Sequence, residues 1–339
     1  MPTTTAPDVL AIAMQLMATE STTGNEGRVV TVAELILTEL GWNVRRIPVT
    51  PGRDNLLAYG PRPVELVFST HLDTVPPYHP PSIDGDRLQG RGACDAKGIA
   101  AAMICAATAL RDQGRPVGVL LVVGEEAPHD GAMAANAMPN RCRVLINGEP
   151  TESKLGVGTK GALRCSITTR GRAAHSAYPQ NGISATANLV ALLTELRTLP
   201  LPSHPILGET TVNIGSLAGG VADNVIAPEA TARLMVRLVT PADETVALLR
   251  TWLGDRGELT VETTVQPVLL GTVPGFETEV VAYATDIPEL SNWGTPYLFG
   301  PGSIHVAHTD DEFISIAEMR AAVDSYQALA AAALVTATA

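Results

Sequence analysis

The sequence is short of basic residues and of aromatic residues. It has 23 Lys and Arg against 35 Asp and Glu, a formal net charge of −12, and its aromatic residues make up only 4% of the chain. Nucleic acids and anionic membrane surfaces repel so acidic a protein, and we therefore expect neither as a partner. Because apolar residues still make up 45% of the chain, the core is predicted to be aliphatic.

Long apolar runs, basic leader residues and paired cysteines are also missing. No stretch approaches the roughly 18 uninterrupted apolar residues that predict a transmembrane helix. No basic residue precedes the first apolar stretch, near Val9, as one would in a secretory signal. The four cysteines (Cys94, Cys105, Cys142 and Cys165) are dispersed without CxxC spacing, which is typical of reduced thiols. These features predict a cytoplasmic protein.

What the sequence does contain is an alternation of helical and strand patterns over a length that favours two domains. Apolar residues at helical spacing predict helices over residues 8–20, 26–41 and 97–112. Short apolar runs predict strands over residues 42–47, 55–59, 65–69, 119–123 and 142–146. Buried strands that alternate with helices predict an α/β domain with a mostly parallel sheet and helices on both faces.

The pattern changes after residue 159. A strand, a helix, two strands, a helix and a strand follow, over residues 162–169, 184–196, 211–216, 231–239, 242–252 and 259–264. This βαββαβ order is that of a ferredoxin-like domain. We therefore predict a first domain made of residues 1–159 and 267–339, interrupted by an inserted domain of residues 160–266. A strand over 297–299 and a helix over about 314–334 would complete the first domain.

Histidine and carboxylate side chains follow several of the predicted strands. His71 comes after the strand at 65–69, Glu125 and Glu126 follow the strand at 119–123, and Glu149 follows the strand at 142–146. Ligands of open parallel sheets bind outside the carboxyl ends of the strands. Any one of these residues alone would be interpreted as a solvated loop residue, but two adjacent glutamates beside a core are costly unless a cation is present. Together they predict a site for two divalent metals.

Several motifs, in order along the chain, resemble those of the M20 family of two-metal peptidases and deacylases. They are STHLDTVP, GRGACDAKG, VVGEEAPHDGA, INGEP, GRAAHSAYPQNG and GPGSIHVAHTDDEF. The family includes acetylornithine deacetylase, succinyl-diaminopimelate desuccinylase, glutamate carboxypeptidase and tripeptidase T. The resemblance covers essentially the whole chain. It implies a catalytic α/β domain interrupted by a ferredoxin-like lid that often forms dimers.

The resemblance also implies a set of metal ligands. Asp95 would bridge two metals, His71 and Glu149 would bind one of them, and Glu126 and His308 would bind the other. A set of oxygen and nitrogen ligands without a thiolate suits two Zn²⁺ ions, with Co²⁺ or Mn²⁺ as alternatives.

Two further residues take catalytic roles by the same resemblance. Glu125 would be the general base that takes a proton from the attacking water and later gives it to the leaving amine. Asp73 would orient His71 through the ring nitrogen that does not bind metal. His305 lies in the same loop as His308 and is the alternative ligand, but the His-x-x-acid-Glu spacing of the family favours His308.

Other matches point to substrate contacts. His175 resembles the histidine that stabilises the oxyanion, often from a partner subunit, although it could be a turn residue. Asn224 and Arg237 match residues that contact substrate in relatives. Lys160, followed by Gly161, resembles the Lys-Gly of acetylornithine and carrier-linked lysine deacylases. Gly302 lies in a loop that either offers backbone donors to a substrate carboxylate or is only a tight loop.

Residues 154–172 hold several basic side chains and no acidic one. This stretch is either the solvated face of a strand or a surface that recognises an anion, such as an α-carboxylate or an acidic carrier protein.

We therefore predict a two-metal amide hydrolase that removes the acyl group of an N-acyl amino acid. It resembles the acetylornithine deacetylase or carrier-linked lysine/ornithine hydrolase branch, which implies a role in amino-acid biosynthesis, and a homodimer formed through the inserted domain. A dipeptidase or carboxypeptidase is the alternative within the family, with a short peptide as substrate. A catalytically inactive binding protein on the same scaffold is the alternative from another class, but the presence of Glu125 and of every expected ligand argues against it.

Overall fold

A computed structural model describes residues 7–337. The α-helices of these residues are α1 (Val9–Met17), α2 (Gly27–Glu39), α3 (Lys97–Asp112), α4 (Asp130–Asn136), α5 (Ala185–Leu196), α6 (Ala242–Leu253) and α7 (Ile316–Thr336). The first nine strands are β1 (Asn43–Thr50), β2 (Arg53–Tyr59), β3 (Leu66–His71), β4 (Ser82–Asp84), β5 (Arg87–Gln89), β6 (Val117–Val122), β7 (Val144–Asn147), β8 (Leu155–Thr159) and β9 (Gly161–Arg170). The later strands are β10 (Ser203–His204), β11 (Gly208–Glu209), β12 (Thr211–Gly219), β13 (Glu229–Leu238), β14 (Glu258–Val265), β15 (Val268–Leu269), β16 (Thr278–Val281), β17 (Thr295–Leu298) and β18 (Phe313–Ser315).

The chain divides into two compact units. Among the described residues, unit 1 holds residues 7–157, 270–279 and 285–337, and unit 2 holds residues 158–269 and 280–284. Residues 158–159, 267–269 and 280–284, which the sequence places in the first domain, thus group with the inserted one. A local contact explains the grouping of residues 280–284, because the backbone N–H of Lys160 donates to the Val281 carbonyl oxygen over 2.9 Å.

Unit 1 is built on a six-stranded sheet in the order β1-β2-β6-β3-β7-β17. Strands β6, β3, β7 and β17 are parallel to one another, whereas β1 and β2 form an antiparallel hairpin whose second strand is antiparallel to β6. The predicted α/β fold with a mostly parallel sheet is confirmed. This arrangement brings the carboxyl ends of β3, β6 and β7 to one edge of the sheet.

Both faces of this sheet are covered. Alternate side chains of each strand point to opposite faces, and each face belongs to a separate core. Leu66 and Phe68 of β3 join the large core formed with α1, α2, α3 and α7. Val67, between them, joins a smaller core that includes Ala132 and Ala135 of α4. Every residue of β3 is buried, as expected for a strand with helices on both sides.

Unit 2 contains the four-stranded antiparallel sheet β12-β13-β9-β14, and α5 and α6 pack against it. Since the chain order is β9, α5, β12, β13, α6, β14, this is the ferredoxin-like topology predicted for the inserted segment. Its core consists of aliphatic side chains from β9, β13 and the two helices. Strand β12 forms one edge of the sheet, and most of its residues are exposed.

Some elements were not predicted. Helix α4 has only seven residues, and β4 and β5 have three each. A helix or strand this short shows too few repeats of its apolar period to be recognised in a sequence. Within the described residues, no helix is both long enough and apolar enough to span a membrane.

Candidate metal centre and catalytic site

The predicted ligands lie where the parallel strands of unit 1 end. His71 is the last residue of β3, Glu126 lies just beyond β6, and Glu149 lies just beyond β7. Asp95 precedes α3, and His308 lies in the loop that follows β17. Residues that are far apart in the sequence therefore meet at one edge of the sheet, which is the usual ligand position in this class of fold.

Asp95 is at the centre of this group. Its Oδ1 lies 2.9 Å from Nε2 of His71, and its Oδ2 lies 3.2 Å from Nε2 of His308. The same His308 nitrogen lies 2.9 Å from Oε1 of Glu126. The two oxygens of one carboxylate therefore face two different histidines, as a bridging ligand would.

The side chains form two sets of donors that share Asp95. One set is His71, Asp95 and Glu149, the other is Asp95, Glu126 and His308, and the donor atoms of each set lie within 4.8 Å of one another. The first set is buried, whereas His308 is half exposed and has a left-handed backbone with φ of 64°. The structure thus brings all five predicted ligands together in two groups.

The chemistry of these residues fits divalent cations. Oε1 of Glu149 is buried and has no hydrogen-bond partner among residues 7–337, and an unsatisfied buried acceptor is costly without a cation. Burial raises the pKa of Glu149 well above its ordinary value, and nearby Asp95 adds to this shift. Hydrogen bonds to Asp95 and Glu126 raise the pKa of His308 to about 10. The site therefore attracts positive charge, and its imidazole and carboxylate donors are those of Zn²⁺, Co²⁺ and Mn²⁺ sites.

Asp73 connects His71 to the glutamate pair. Nδ1 of His71 lies 2.9 Å from the backbone oxygen of Asp73 and 3.5 Å from its Oδ1. The Asp73 carboxylate also accepts hydrogen bonds from the backbone N–H groups of Glu125 and Glu126, over 3.1 and 3.2 Å. Burial alone would lower the pKa of His71, but the hydrogen bonds to Asp73 and Asp95 raise it well above its ordinary value. Asp73 thus fixes the orientation of His71 and the backbone of both glutamates.

Glu125 is half buried beside the metal-binding groups. Burial, followed by repulsion from Glu149, raises the pKa of its carboxyl well above the ordinary value. A raised pKa makes a carboxylate a better proton acceptor near neutral pH, which suits a general base.

A buried ion pair holds the loops that carry Asp95 and His308. Nη1 of Arg91 lies 2.7 Å from Oε2 of Glu312 and also donates to the backbone oxygen of Thr309, next to His308, over 3.1 Å. The other carboxylate oxygen of Glu312 accepts from the backbone N–H of Asp95 over 3.2 Å. Both charged side chains are only 1% exposed. Glu312 is the glutamate of the His-x-x-acid-Glu motif, but no sequence pattern indicates that it holds the Asp95 loop.

Gly98 allows α3 to begin close to the Asp95 loop. A Cβ atom at this position would lie 2.2 Å from the backbone oxygen of Ala93. Only glycine fits so close to another backbone.

Beside Glu125 lies a pair that the sequence analysis did not identify. Nδ1 of His129 lies 2.8 Å from Oδ1 of Asp286, and the donor atoms of Glu125, His129 and Asp286 lie within 4.8 Å of one another. His129 follows the glutamate pair closely in the sequence, but Asp286 lies more than 150 positions further along the chain. No local pattern could have connected them.

In unit 2, the structure brings His175 and Asn224 together. The backbone N–H of Ser176 donates to the carbonyl oxygen of Asn224 over 3.0 Å, and His175 forms a β-bridge with Val225. Nδ1 of the exposed His175 ring accepts a hydrogen bond from the backbone N–H of Ala177 over 3.1 Å. The neutral ring must therefore carry its proton on Nε2, which leaves that N–H available as a donor.

Arg237 and Lys160 lie at the other end of the same sheet. Arg237 pairs with Ala162 at the start of β9, next to Lys160, whereas Ala230 at the start of β13 pairs with Gly219, close to the loop of Asn224. Seven residues of strand separate the two ends, which is roughly 23 Å. Burial, with repulsion from Arg164, lowers the pKa of the Arg237 guanidinium.

The structure does not support a donor role for Gly302. Its backbone N–H already donates to Oε1 of Glu318 over 3.0 Å, and the N–H of Gly300 donates to Oγ1 of Thr151. The tight-loop alternative is therefore the better description, and φ of 85° at Gly302 explains why glycine stands there.

Several basic side chains of residues 154–172 already have partners. Lys154 lies 3.2 Å from Glu152, Arg170 forms an ion pair with Glu229, and Nζ of Lys160 donates to the carbonyl oxygen of Glu209 over 2.6 Å. These contacts favour the strand-face interpretation over a docking surface for an acidic carrier protein.

Comparison with known proteins identifies the relatives of this chain. The model of peptidase family M20/M25/M40 matches residues 67–332. A Peptidase M20 domain-containing protein of Schizosaccharomyces pombe is 38% identical over 334 residues, which cover 94% of this chain and 83% of that protein. A probable carboxypeptidase of Aspergillus fumigatus is 35% identical over 384 aligned positions, covering 97% of this chain and 87% of that protein. The crystal structure of a tripeptidase from Staphylococcus aureus superposes with a TM-score of 0.80 at 20% identity, covering 96% of this chain and 98% of that one.

The buried ion pair makes a direct prediction about stability. Glu312→Gln keeps the shape of the side chain but leaves the buried Arg91 without its counter-charge. The free energy of unfolding of unit 1 should therefore fall by about 3–5 kcal/mol. Denaturant titration followed by circular dichroism measures the change. Glu34→Gln removes a partner of the exposed Arg46, 2.5 Å away, and is the matched control, with an expected change below about 1 kcal/mol. Equal effects of the two substitutions would contradict the prediction.

Proposed function

The chain belongs to the M20/M25/M40 peptidase family and is a metal-dependent hydrolase of amide bonds, and within that class we propose that it is a two-metal carboxypeptidase. In this proposal it releases the C-terminal residue of a short peptide. The observation that carries the proposal is the pair of donor sets that share Asp95, with Glu125 beside them.

The proposed metal ligands are those grouped at the strand ends. His71, Asp95 and Glu149 would hold one divalent ion, and Asp95, Glu126 and His308 would hold the other, with Zn²⁺ the best match to the donors. When bound, such a pair of ions polarises the scissile carbonyl and makes water more acidic.

The residues of the chain then supply the proton transfers. Glu125 accepts a proton from the attacking water and returns it to the nitrogen of the leaving residue, so that the C–N bond breaks without release of an amide anion. Asp73 holds the backbone of Glu125 and the ring of His71 in place through the hydrogen bonds described above. Its role in the proposal is therefore to position both groups.

The proposed substrate has a free α-carboxylate next to the scissile amide. The relative from A. fumigatus is named a probable carboxypeptidase and aligns over nearly the whole chain, which supports this class. Arg237 and Lys160 are candidate partners for the carboxylate, since both are cationic and Arg237 pairs with Ala162, two residues from Lys160. Their roles rest on the family resemblance.

Removal of an acyl group from an N-acyl amino acid is the second candidate, and Lys160-Gly161 favours it by its likeness to the acetylornithine branch. Both reactions break the same kind of bond, because the leaving group is in each case an amino acid with a free carboxylate. A place in cytoplasmic amino-acid biosynthesis stays a prediction of the sequence.

We also propose a homodimer formed through unit 2. Strand β12 is an exposed sheet edge with unpaired backbone groups, and its Leu217 is 53% exposed. His175 and Asn224 lie roughly 23 Å along the sheet from Arg237, so one small substrate cannot touch both ends of the same unit. If both ends act on substrate, His175 and Asn224 must serve the site of a second copy, where Nε2–H of His175 would donate to the oxyanion.

Glu125→Gln tests the general base. The amide cannot accept the proton of water, so kcat should fall by about 10²–10⁴-fold while the protein still binds two equivalents of Zn²⁺. Peptide hydrolysis assays measure kcat, and atomic absorption measures the number of bound zinc ions. Glu39→Gln, at the exposed end of α2, should change neither. Retained turnover in Glu125→Gln would refute the assigned base.

A substrate panel tests the class of reaction. An N-blocked tripeptide should lose its C-terminal residue, whereas the same peptide with a C-terminal amide should react roughly 10- to 150-fold more slowly in kcat/KM, because a charged hydrogen bond of ~1.5–3 kcal/mol is lost. Arg237→Ala should abolish this preference, and Arg233→Ala, an exposed residue of the same strand, should keep it. Faster hydrolysis of N-acetylornithine than of any peptide would instead favour the deacylase.

Mixed dimers test whether His175 acts across subunits. Glu125→Gln and His175→Ala should each be about 10²–10³-fold less active or worse, since each removes one catalytic group. When the two chains are co-expressed, half of the dimers are mixed, and each mixed dimer regains one intact site, so activity should recover to about a quarter of wild type. A mixture no more active than its parents, or a fully active monomer, would refute the cross-subunit role.

A further inference from the structure

We propose that Glu125, His129 and Asp286 form a third, weaker cation site, and that a divalent transition-metal ion bound there inhibits hydrolysis by occupying the carboxylate of Glu125. The inhibition rests on the proposed role of Glu125 as the base, whereas the binding site itself does not. All three residues belong to unit 1.

The first observation is the spacing of the donors. One imidazole and two carboxylates offer donor atoms within 4.8 Å of one another, the same limit that both sets of the metal centre satisfy. Imidazole nitrogens and carboxylate oxygens are zinc donors, with bonds of ~2.0–2.2 Å.

The second observation is an unsatisfied carboxylate oxygen. Asp286 is 1% exposed, and while its Oδ1 meets His129, its Oδ2 has no hydrogen-bond partner among the described residues. Within residues 7–337, the only other buried carboxylate oxygen with this property is Oε1 of Glu149, which belongs to the metal centre. A buried acceptor without a donor is costly, and a cation removes that cost. The same signature thus marks both places.

The balance of charge points the same way. Asp286 is close enough to Glu125 and Glu149 to disfavour their ionisation. Asp286 belongs to neither donor set of the metal centre. Its hydrogen-bonded cationic partner is His129, and His71 acts on it electrostatically as well. An additional divalent ion beside His129 would neutralise Asp286 and Glu125 together.

The consequence follows from the chemistry of Glu125. A carboxylate oxygen bound to a cation has given up the lone pair that a general base needs, and the ion also repels the proton that Glu125 must accept. Occupation of the third site should therefore lower kcat without displacing the other two ions. Binding should be weaker than at the centre, because Glu125 and His129 are only half buried and water competes for the ion there.

Zinc titration of the enzyme that already holds two equivalents tests the proposal. Equilibrium dialysis should find a third equivalent, and peptide hydrolysis should fall as it binds. His129→Asn removes the imidazole but suits the left-handed backbone of this position, where φ is 67°. Loss of a residue that hydrogen-bonds to a metal ligand lowers metal affinity by about 10–100-fold. Loss of a ligand itself should therefore lower the affinity of the third site for zinc by about 100-fold or more. This variant should bind two equivalents, and its rate at two equivalents should not fall further when zinc is added in excess.

Two further variants make the result unambiguous. His204→Gln removes an imidazole of unit 2 whose Nδ1 accepts from backbone N–H groups, and it should leave both the third equivalent and the inhibition unchanged. Asp286→Asn should lose the third equivalent as His129→Asn does. A wild-type protein that never binds more than two equivalents, or a His129→Asn variant that binds the third as tightly, would overturn the proposal. Dialysis counts bound ions and needs no turnover. A protein that hydrolyses no peptide would therefore refute the proposed peptidase function, but the number of zinc ions bound would still show whether the third site exists.

Discussion

Convergence of buried carboxylates on one edge of a parallel sheet is the constraint on which this structure depends. Asp73, Asp95 and Glu149 are almost fully buried there, and Glu125 and Glu126 lie beside them. Negative charge of this density would destabilise the fold unless cationic groups met it. His71 and His308 supply part of the balance through contacts with the two oxygens of Asp95, and divalent ions held by the two donor sets would supply the rest.

The surrounding structure serves to hold these groups still. Asp73 fixes one ring and two backbone N–H groups, and the Arg91–Glu312 pair ties the Asp95 loop to the loop of His308. A metal site needs such outer contacts, because the ligands must keep their orientation before any ion arrives. The loops of Asp95 and His308 are therefore held together by a buried ion pair.

Much of the fold and most of the centre could be predicted. The buried strands β3, β6 and β7 are unbroken apolar runs, and the residues that follow them have the ligand types and the spacing of a known family. The sequence left two alternatives open for Gly302, because a glycine-rich loop looks the same whether its backbone N–H is free or, as here, donates to Glu318. The contact between His129 and Asp286 was missed, because a pair so far apart in sequence leaves no periodic signal.

By itself the sequence determined the alternation of helices and strands, the ferredoxin-like insertion, and the histidines and carboxylates that stand at the strand ends. It could do so because apolar periodicity and short motifs are local properties. Only the tertiary structure decided that Asp95 faces two histidines, that Glu312 holds the Asp95 loop, and that Asp286 lies beside Glu125. These contacts depend on how distant segments pack, and packing is fixed by the whole chain at once.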